Sequence, residues 1–268
     1  MTPLARAVGA VMASSRWDFR ARVFFALCAT TCASGCACAC AAFAPGVARR
    51  RADALFALAM GASMSAFAYR IAYGARASVI ARDFRALGAH LRASARSNGG
   101  QYIVYGWMAT ASARGGANNA PALAPLIALS AYQVLAIGHK VWGDDADGKT
   151  TWSKLGFGRV FDSAQRNMEL TLAICATMEV SLFSTILLDL ASPQRRSFSR
   201  VIAYAFWLRS RYHCHDNTVY RIKFTAHDTA YYHREVWKML DEKVASKAPR
   251  LRRALSPFAT WFATPPAF

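Results

Sequence analysis

Long uncharged stretches alternate with short basic stretches along this chain of 268 residues. An α-helix rises about 1.5 Å per residue, so about 20 apolar residues cross a hydrocarbon core of about 30 Å. Several of the stretches approach that length and others are shorter. The pattern predicts an all-α, polytopic helical membrane protein with about four to six membrane-embedded helices. The apolar runs cover residues 23–48, 54–69, 101–113, 121–138, 170–191 and 201–208.

Even one of the longer runs falls short of the thickness of a typical bilayer. Residues 54–69 would form a helix of about 24 Å, against a core of about 30 Å. Tyr69 and Arg70 at its end can extend it, because their polar tips reach towards the interface. Short spans suit a thin bilayer such as that of the endoplasmic reticulum, or hairpins that enter one leaflet. The sequence leaves both arrangements open.

The composition combines high hydrophobicity with high positive charge. Hydrophobic residues make up 54% of the chain, the mean hydropathy is +0.15, and the formal charge is +18. A nucleic-acid binder would explain the charge but not the apolar runs. A membrane protein explains both, since basic residues collect in loops that face the cytosol. We therefore expect a lipid bilayer as the main partner, and no nucleic acid.

The distribution of lysine and arginine predicts the orientation in the membrane. If all six runs cross and the N-terminus is cytosolic, the cytosolic segments carry 26 of these residues and the opposite segments carry 7. The positive-inside rule favours this arrangement, with both termini in the cytosol. The predicted organisation is a basic cytosolic segment at 1–22, a membrane-embedded domain at 23–208 with a cytosolic loop at 139–169, and a basic amphipathic region at 209–268.

Residues 143–150 match the phosphate-binding P-loop pattern G-x-x-x-x-G-K-T. A working P-loop follows a short buried strand, whereas the preceding run at 121–138 is 18 residues long and favours a membrane helix. Asp144, Asp145 and Asp147 stand where a phosphate would bind, so like charges would repel the ligand. We therefore expect a polar loop and no nucleotide.

Cysteines recur every fourth residue in the first apolar run, at Cys28, Cys32, Cys36 and Cys40, with Cys38 between them. On a helix this spacing lines one face. Small side chains at such a face allow membrane helices to pack closely, which is the interpretation we favour. Acylation of the thiols and metal binding are the alternatives, although thiolates are costly in an apolar run without a charged partner.

The N-terminus also has features of a targeting segment. Residues 1–22 are basic, and the small residues that follow could serve a signal peptidase. The uncharged run at 23–48 is longer than the usual signal core of about 7–15 residues. Its Arg-, Ala- and Ser-rich composition also fits a plastid transit peptide, which leaves a plastid or other organelle membrane open.

Glu179 and Asp189 are acidic residues within the run at 170–191. An intramembrane acid is a candidate functional site, and its plainer interpretation is a hydrogen bond between packed helices. The alternative function that they suggest is a small membrane transporter or channel. His213, Cys214 and His215 are adjacent in the sequence and could in principle bind a metal ion. However, no second pair of ligands with metal-ligand spacing accompanies them. We predict no catalytic, cofactor-binding or metal-binding residues, and no enzymatic activity.

The C-terminal region predicts amphipathic helices that lie in the membrane interface. Apolar residues there recur at helical spacing and are opposed by arginines. A basic helix face favours anionic headgroups, while tryptophan and phenylalanine insert between the lipids. Packing against the protein itself, or against a partner, is the alternative. The predicted membrane-binding residues are Trp237, Leu240, Val244, Arg250, Leu251, Arg252, Arg253, Leu255, Phe258, Trp261 and Phe262.

The layout resembles the transmembrane protein 33 family, from about Leu55 to Phe262. The likeness is carried by "LFALAMGASMSAFAYRIAY", "QYIVYGWMATASA" and "PLIALSAYQVLAIGHKVW", and most closely by "SAQRNMELTLAICATMEVSLFSTILL" at 163–188. It continues through "IAYAFWLRSRYHCHDNTVYR" to the basic tail "APRLRRALSPFATWF". The cysteine-rich first helix departs from the family pattern.

This resemblance implies a non-enzymatic protein of the endoplasmic reticulum membrane and nuclear envelope. Such proteins help to shape tubular membrane with reticulon-type partners, and they influence the distribution of nuclear pores and their nucleoporins. The amphipathic C-terminal helices of the family are thought to sense curved membrane. On this basis we expect a protein that shapes or senses membrane curvature and that binds an anionic, curved bilayer.

Overall fold

The fold is all-α in a computed structural model that describes residues 18–43, 47–111, 120–142, 151–193, 196–213, 229–245 and 247–264. No strand occurs within these ranges. The helices are α1 (Phe19–Ala42), α2 (Val47–Ile80), α3 (Phe84–Arg96), α4 (Asn98–Ala111), α5 (Ala124–Trp142), α6 (Thr151–Lys154), α7 (Phe157–Arg166), α8 (Met168–Leu188), α9 (Phe198–Tyr212), α10 (Thr229–Leu240) and α11 (Pro249–Ala263).

Four of these helices, α1, α2, α5 and α8, are long and apolar enough to cross a membrane. The candidate spans are Phe19–Ala42, Arg50–Arg76, Ala120–Trp142 and Met168–Ala191. They coincide with the four longest apolar runs of the sequence. The prediction of a polytopic helical membrane protein is therefore confirmed as far as the architecture is concerned.

Helices α1, α2 and α5 form one packed group. The Sγ of Cys38 donates to the carbonyl oxygen of Ala52 at 3.3 Å, which fixes α1 antiparallel to α2 near their connection. Gly35 leaves room for Ile127 of α5, because an added Cβ would approach its side chain to 2.7 Å. Cys28 and Cys38 are buried in these contacts, whereas Cys36 and Cys40 are exposed. The small residues of α1 thus serve close helix packing on one face.

Helix α4 runs antiparallel to α2 and lies at the same level. The Tyr102 ring stacks on Phe67 with centroids 5.6 Å apart, and Gly106 contacts the side chain of Met64. We call the end of the bundle at which α1 begins and α2 ends the N-side, and the other end the far side. Since α2 ends at the N-side and α5 begins towards the far side, α4 carries the chain between them.

Helices α8 and α9 form an antiparallel hairpin. Arg200 at the start of α9 lies 3.2 Å from Asp189 at the end of α8, and Arg211 at the other end of α9 lies 3.5 Å from Glu179. Helix α9 therefore runs back from the far side towards the N-side, and its end lies level with the middle of α8. With 14 and 15 residues, α4 and α9 reach only about 21–22 Å, so they are short passes beside four longer ones.

Two amphipathic helices lie at the N-side of the bundle. His90 of α3 has its Nε2 3.0 Å from the carbonyl oxygen of Ile71, near the end of α2. Phe161 of α7 stacks on His139 near the end of α5, with ring centroids 4.5 Å apart. Both helices therefore lie at the level where long helices leave the predicted membrane.

Candidate functional site: a buried charge cluster and the C-terminal helices

Glu179, in the middle of α8, is the centre of a buried polar cluster. Its Oε1 accepts a hydrogen bond of 2.6 Å from the hydroxyl of Tyr102. Its Oε2 lies 3.5 Å from Nε of Arg211 and 2.8 Å from Nε2 of His233. All four side chains are at most 4% exposed. The cluster thus joins α4, α8, α9 and α10 at one point.

The cluster is close to electrically neutral. Arg211 compensates the carboxylate of Glu179, and Arg211 also donates through Nη2 to the hydroxyl of Tyr102 at 3.3 Å. Burial is the largest influence on His233 and lowers its pKa; Arg211 lowers it as well, while the neighbouring Glu179 raises it. A neutral imidazole beside a carboxylate and a guanidinium leaves no net charge in the interior. A buried pair of this kind avoids the cost of an isolated buried charge.

Aromatic side chains and backbone groups enclose the cluster. The guanidinium carbon of Arg211 lies 4.9 Å from the centre of the Tyr102 ring, a cation–π distance. Tyr204 donates to the backbone carbonyl of Glu179 at 3.0 Å, and Trp207 donates to that of Gln101 at 2.8 Å. These contacts fix the relative register of α4, α8 and α9. The arrangement is therefore suited to holding helices together.

The partners of Glu179 could not be read from the sequence. Arg211 lies 32 positions and His233 54 positions further along the chain, and neither shares a run with the acid. Arg211 precedes the stretch of His213, Cys214 and His215, which the sequence pattern marks only as a weak metal-site candidate. The one available signal was antiparallel spacing, because Glu179 and Asp189 are separated by 10 positions and Arg200 and Arg211 by 11.

Asp189, the second intramembrane acid of the sequence, lies at the end of its helix and pairs with Arg200. Its Oδ2 accepts from Nη1 of Arg200 at 3.2 Å. The two side chains are 22% and 19% exposed, so this pair is more accessible than the one at Glu179. Both acids of the transporter hypothesis thus have an arginine partner.

Five of the apolar residues predicted to bind membrane, those whose side chains are described, pack against the bundle. Phe258 stacks on Phe183 of α8 with centroids 6.2 Å apart, and Trp261 meets Phe206 of α9 edge-on at 5.1 Å. Phe262 is buried, and Trp237 and Leu240 are partly buried against the core. Arg250, Arg252 and Arg253 are exposed. The side chains of Val244, Leu251 and Leu255 lie outside the described residues.

The end of α11 is anchored to the end of α9. Arg209 donates from Nε and Nη2 to the carbonyl oxygen of Thr264, at 3.3 and 2.8 Å. The Nε2 of His213 lies 2.9 Å from the carbonyl oxygen of Phe262. Unpaired carbonyls at a helix C-terminus attract such cationic and imidazole groups. Lipid contact by this helix therefore remains a prediction, and in the structure its apolar face contacts the protein.

The outer face of α10 and of the π-helical turn that follows it is charged. Glu235 and Lys238 of α10 are exposed, as are Glu242 and Lys243 in the turn at Asp241–Ala245. The inner face of the same helix carries His233, which contacts Glu179 at the middle of α8. A charged surface therefore lies alongside a candidate membrane span.

Two of the sequence motifs lie outside the described residues. The P-loop pattern at 143–150 is one, and the segment 214–228, which holds most of the histidine- and cysteine-rich stretch, is the other. Within the part of the chain that the structure describes, no group of three or more His, Cys, Asp or Glu side chains is arranged to hold a metal ion.

Comparison with known proteins assigns no family to the chain: no family model, curated protein or solved structure matches it.

Proposed function

We propose that this chain is a non-enzymatic membrane protein that shapes or senses membrane curvature. The observation that carries this proposal is the unequal distribution of helices between the two sides of the bundle. Helices α3 and α7 lie at the N-side. Among the described residues, no comparable contact places an amphipathic helix at the far-side end, and α10 and α11 contact α8 and α9 between the two ends, at Glu179, Phe183 and Phe206.

A bundle that occupies more area in one leaflet than in the other bends the bilayer. Exposed apolar side chains on α7, Phe157 and Val160, are of the kind that insert at the headgroup boundary. The short passes α4 and α9 lie beside the long helices and belong to the same bundle. Their lipid-facing stripes are apolar, as shown by the exposed side chains of Trp107, Ile202 and Phe206. The wedge shape would favour membrane that is convex on the N-side.

Tubes drawn from giant vesicles that contain the full-length, fluorescently labelled protein test this proposal. With the N-side outward, we expect the ratio of protein to lipid signal to rise as the tube narrows. The variant Phe157→Ser/Val160→Ser should reduce the enrichment, and the exposed polar change Asp162→Asn should not. An equal ratio at every tube radius would contradict curvature sensing.

The cellular setting that we propose is the endoplasmic reticulum and nuclear envelope, with both termini in the cytosol. It is supported by the resemblance described above and by the excess of basic residues in the sequence segments that are predicted to be cytosolic. Supporting roles in tubule organisation and nuclear pore distribution follow from the same resemblance, with reticulon-type proteins and nucleoporins as partners. Unchanged reticulum morphology and pore spacing after deletion of the protein would argue against these roles.

A small transporter or channel is the second candidate function, because Glu179 has two buried titratable or cationic partners in Arg211 and His233. In that case Glu179→Gln should abolish ion or proton flux in proteoliposomes. Asp189→Asn should reduce the flux as well, and Glu169→Gln, at an exposed acid in the first turn of the same helix, is the matched control. A flux that is equal in wild-type protein, variant and empty vesicles would exclude this candidate.

A further inference from the structure

One amphipathic surface outside the C-terminal region is left uncovered by the part of the chain that the structure describes. Phe84 and Leu91 of α3 are 80% and 50% exposed. They are seven positions apart and so lie on one helix face. Arg85 and Arg92, also seven positions apart, are exposed beside them. The end of α2 extends this apolar surface with the exposed side chain of Ile80.

The level of α3 along the bundle is set by its contact with α2. The His90 ring lies against Gly74, where an added Cβ would approach its Cε1 to 2.7 Å. Gly74 belongs to the last turn of the candidate span Arg50–Arg76. The middle of α3 is therefore at the level where α2 leaves the membrane, and not out in the aqueous phase.

Neighbouring side chains at this level have the character of a membrane interface. The guanidinium of Arg20 lies 4.1 Å from the centre of the Tyr73 ring, and that of Arg70 lies 5.7 Å from the Phe24 ring. Aromatic and basic residues of this kind concentrate at the headgroup level of membrane proteins. The exposed face of α3 is continuous with this belt.

The charge of α3 specifies the kind of lipid. Arg82 precedes the helix in a left-handed conformation, with φ of 53°, and it is exposed like Arg85 and Arg92. Asp83, the acid next to them, accepts the Ala86 N–H at 2.9 Å as the helix N-cap. No ion pair between these three arginines and a carboxylate occurs among the described residues. Basic side chains at the membrane surface attract anionic headgroups.

We infer that α3 is an interfacial helix that binds anionic lipid headgroups through Arg82, Arg85 and Arg92, with Phe84 and Leu91 inserted among the acyl chains. This inference names a lipid chemistry for the membrane protein proposed above and rests on that proposal. It depends on the charge and exposure of one helix, and not on the curvature preference of the whole bundle.

Lipid retention by the full-length protein tests the headgroup preference. The protein is reconstituted in nanodiscs of equimolar phosphatidylserine and phosphatidylcholine and repurified in detergent, and the retained lipids are quantified by mass spectrometry. We expect wild-type protein to retain phosphatidylserine preferentially. Arg85→Ala/Arg92→Ala should lower that preference by on the order of fivefold for each arginine at low salt.

The matched control removes two exposed positive charges elsewhere. Lys238→Ala/Lys243→Ala lies on a face that also carries Glu235 and Glu242, so it should leave the preference unchanged. An equal loss in both double variants, or no preference in wild-type protein, would overturn the inference. Because headgroup preference and tube enrichment are measured separately, either one can fail while the other holds.

A photo-crosslink at Phe84 identifies what covers the apolar face. Replacing Phe84 with p-benzoylphenylalanine keeps an aromatic side chain at an exposed position, so folding should be unaffected. Irradiation in the same nanodiscs should give lipid adducts. Adducts with peptides alone would show that a protein, or a second copy of this chain, occupies the face, and would overturn the lipid assignment.

Discussion

Removing the charge of Glu179 should leave Arg211 buried without its counter-ion. Both side chains are at most 4% exposed, and an uncompensated buried charge costs about 3–5 kcal/mol. We expect Glu179→Gln to lower the free energy of unfolding by that amount, measured by titration with SDS in mixed micelles. Replacing both partners, as in Glu179→Leu/Arg211→Leu, should cost less than the single change.

The pair Asp189–Arg200 is the matched control for this prediction. It lies in the same helical hairpin but is several times more exposed, and accessible ion pairs contribute about 1 kcal/mol or less. Asp189→Asn should therefore change the free energy of unfolding by at most that amount. Equal losses at Glu179 and Asp189 would contradict the role that we assign to burial.

The pKa of His233 predicts how the docking of α10 depends on pH. Burial lowers this pKa below the usual value, which is about 6.5. The unfolded or undocked state therefore binds the proton more readily, and docking weakens as the pH falls through about 6.5. The charged and polar groups that face the ring, Glu179, Arg211 and Tyr102, are all part of the cluster.

Hydrogen exchange of the α10 backbone at pH 7.5 and pH 5.5 measures this effect. After correction for intrinsic exchange rates, protection should decrease at the lower pH in wild-type protein. The variant His233→Gln should lose most of that difference. A pH dependence of equal size in the variant would place the responsible group elsewhere.

At the scale of single elements, the contact of Arg209 with the end of α11 can be removed without changing a buried side chain. Arg209 makes two hydrogen bonds to the carbonyl of Thr264, and its guanidinium lies 4.6 Å from the centre of the Trp261 ring. Arg209→Ala should therefore loosen the end of α11, by about 1–3 kcal/mol for charge-assisted bonds. Increased exchange at residues 258–264, with α8 unchanged, is the expected result.

The long helices could be predicted from the sequence because each is an apolar run near bilayer length. The run at 121–138, for example, became the candidate span Ala120–Trp142. Helix α3 is not predicted by the apolar runs, because its residues lie in a charged stretch between two of them. The sequence does carry a sign of this helix, the seven-residue spacing that places Phe84 with Leu91 and Arg85 with Arg92. That pattern is too short to predict an interfacial helix until the contact of α3 with α2 is known.

At the scale of the whole molecule, the directions of the helices predict six passes. Helices α4 and α9 each run antiparallel to the preceding long helix, although both are too short to count as spans by length. The loop at 139–169 should then lie on the same side as both termini. Four passes by the long helices alone would place this loop on the opposite side.

Glycosylation acceptor sites inserted in full-length protein distinguish these topologies in microsomes. An acceptor inserted at residues 143–150 should remain unmodified, and so should one at the C-terminus. An acceptor inserted between α1 and α2, near Phe43, within a linker long enough to reach the glycosylating enzyme, should be modified. Modification at 143–150 would show that α4 does not cross.

The site itself was accessible to sequence reasoning only in part. The position of Glu179 in an apolar run marked it as a candidate, because an acid there is costly. Its partners depend on tertiary packing of α9 and α10, which hydrophobic periodicity does not encode. The same limit applies to Phe258, Trp261 and Phe262. Their spacing indicates an apolar helix face, but it cannot say whether lipid or protein covers that face.

The charged outer face of α10 has a mechanical consequence for the surrounding lipid. Because His233 contacts Glu179 at the middle of α8, Glu235 and Lys238 lie close to the level of the middle of a candidate membrane span. Ionised groups are costly to place in hydrocarbon, so acyl chains are unfavourable neighbours for the charged face of α10. We expect water or another protein, and not acyl chains, to contact that flank.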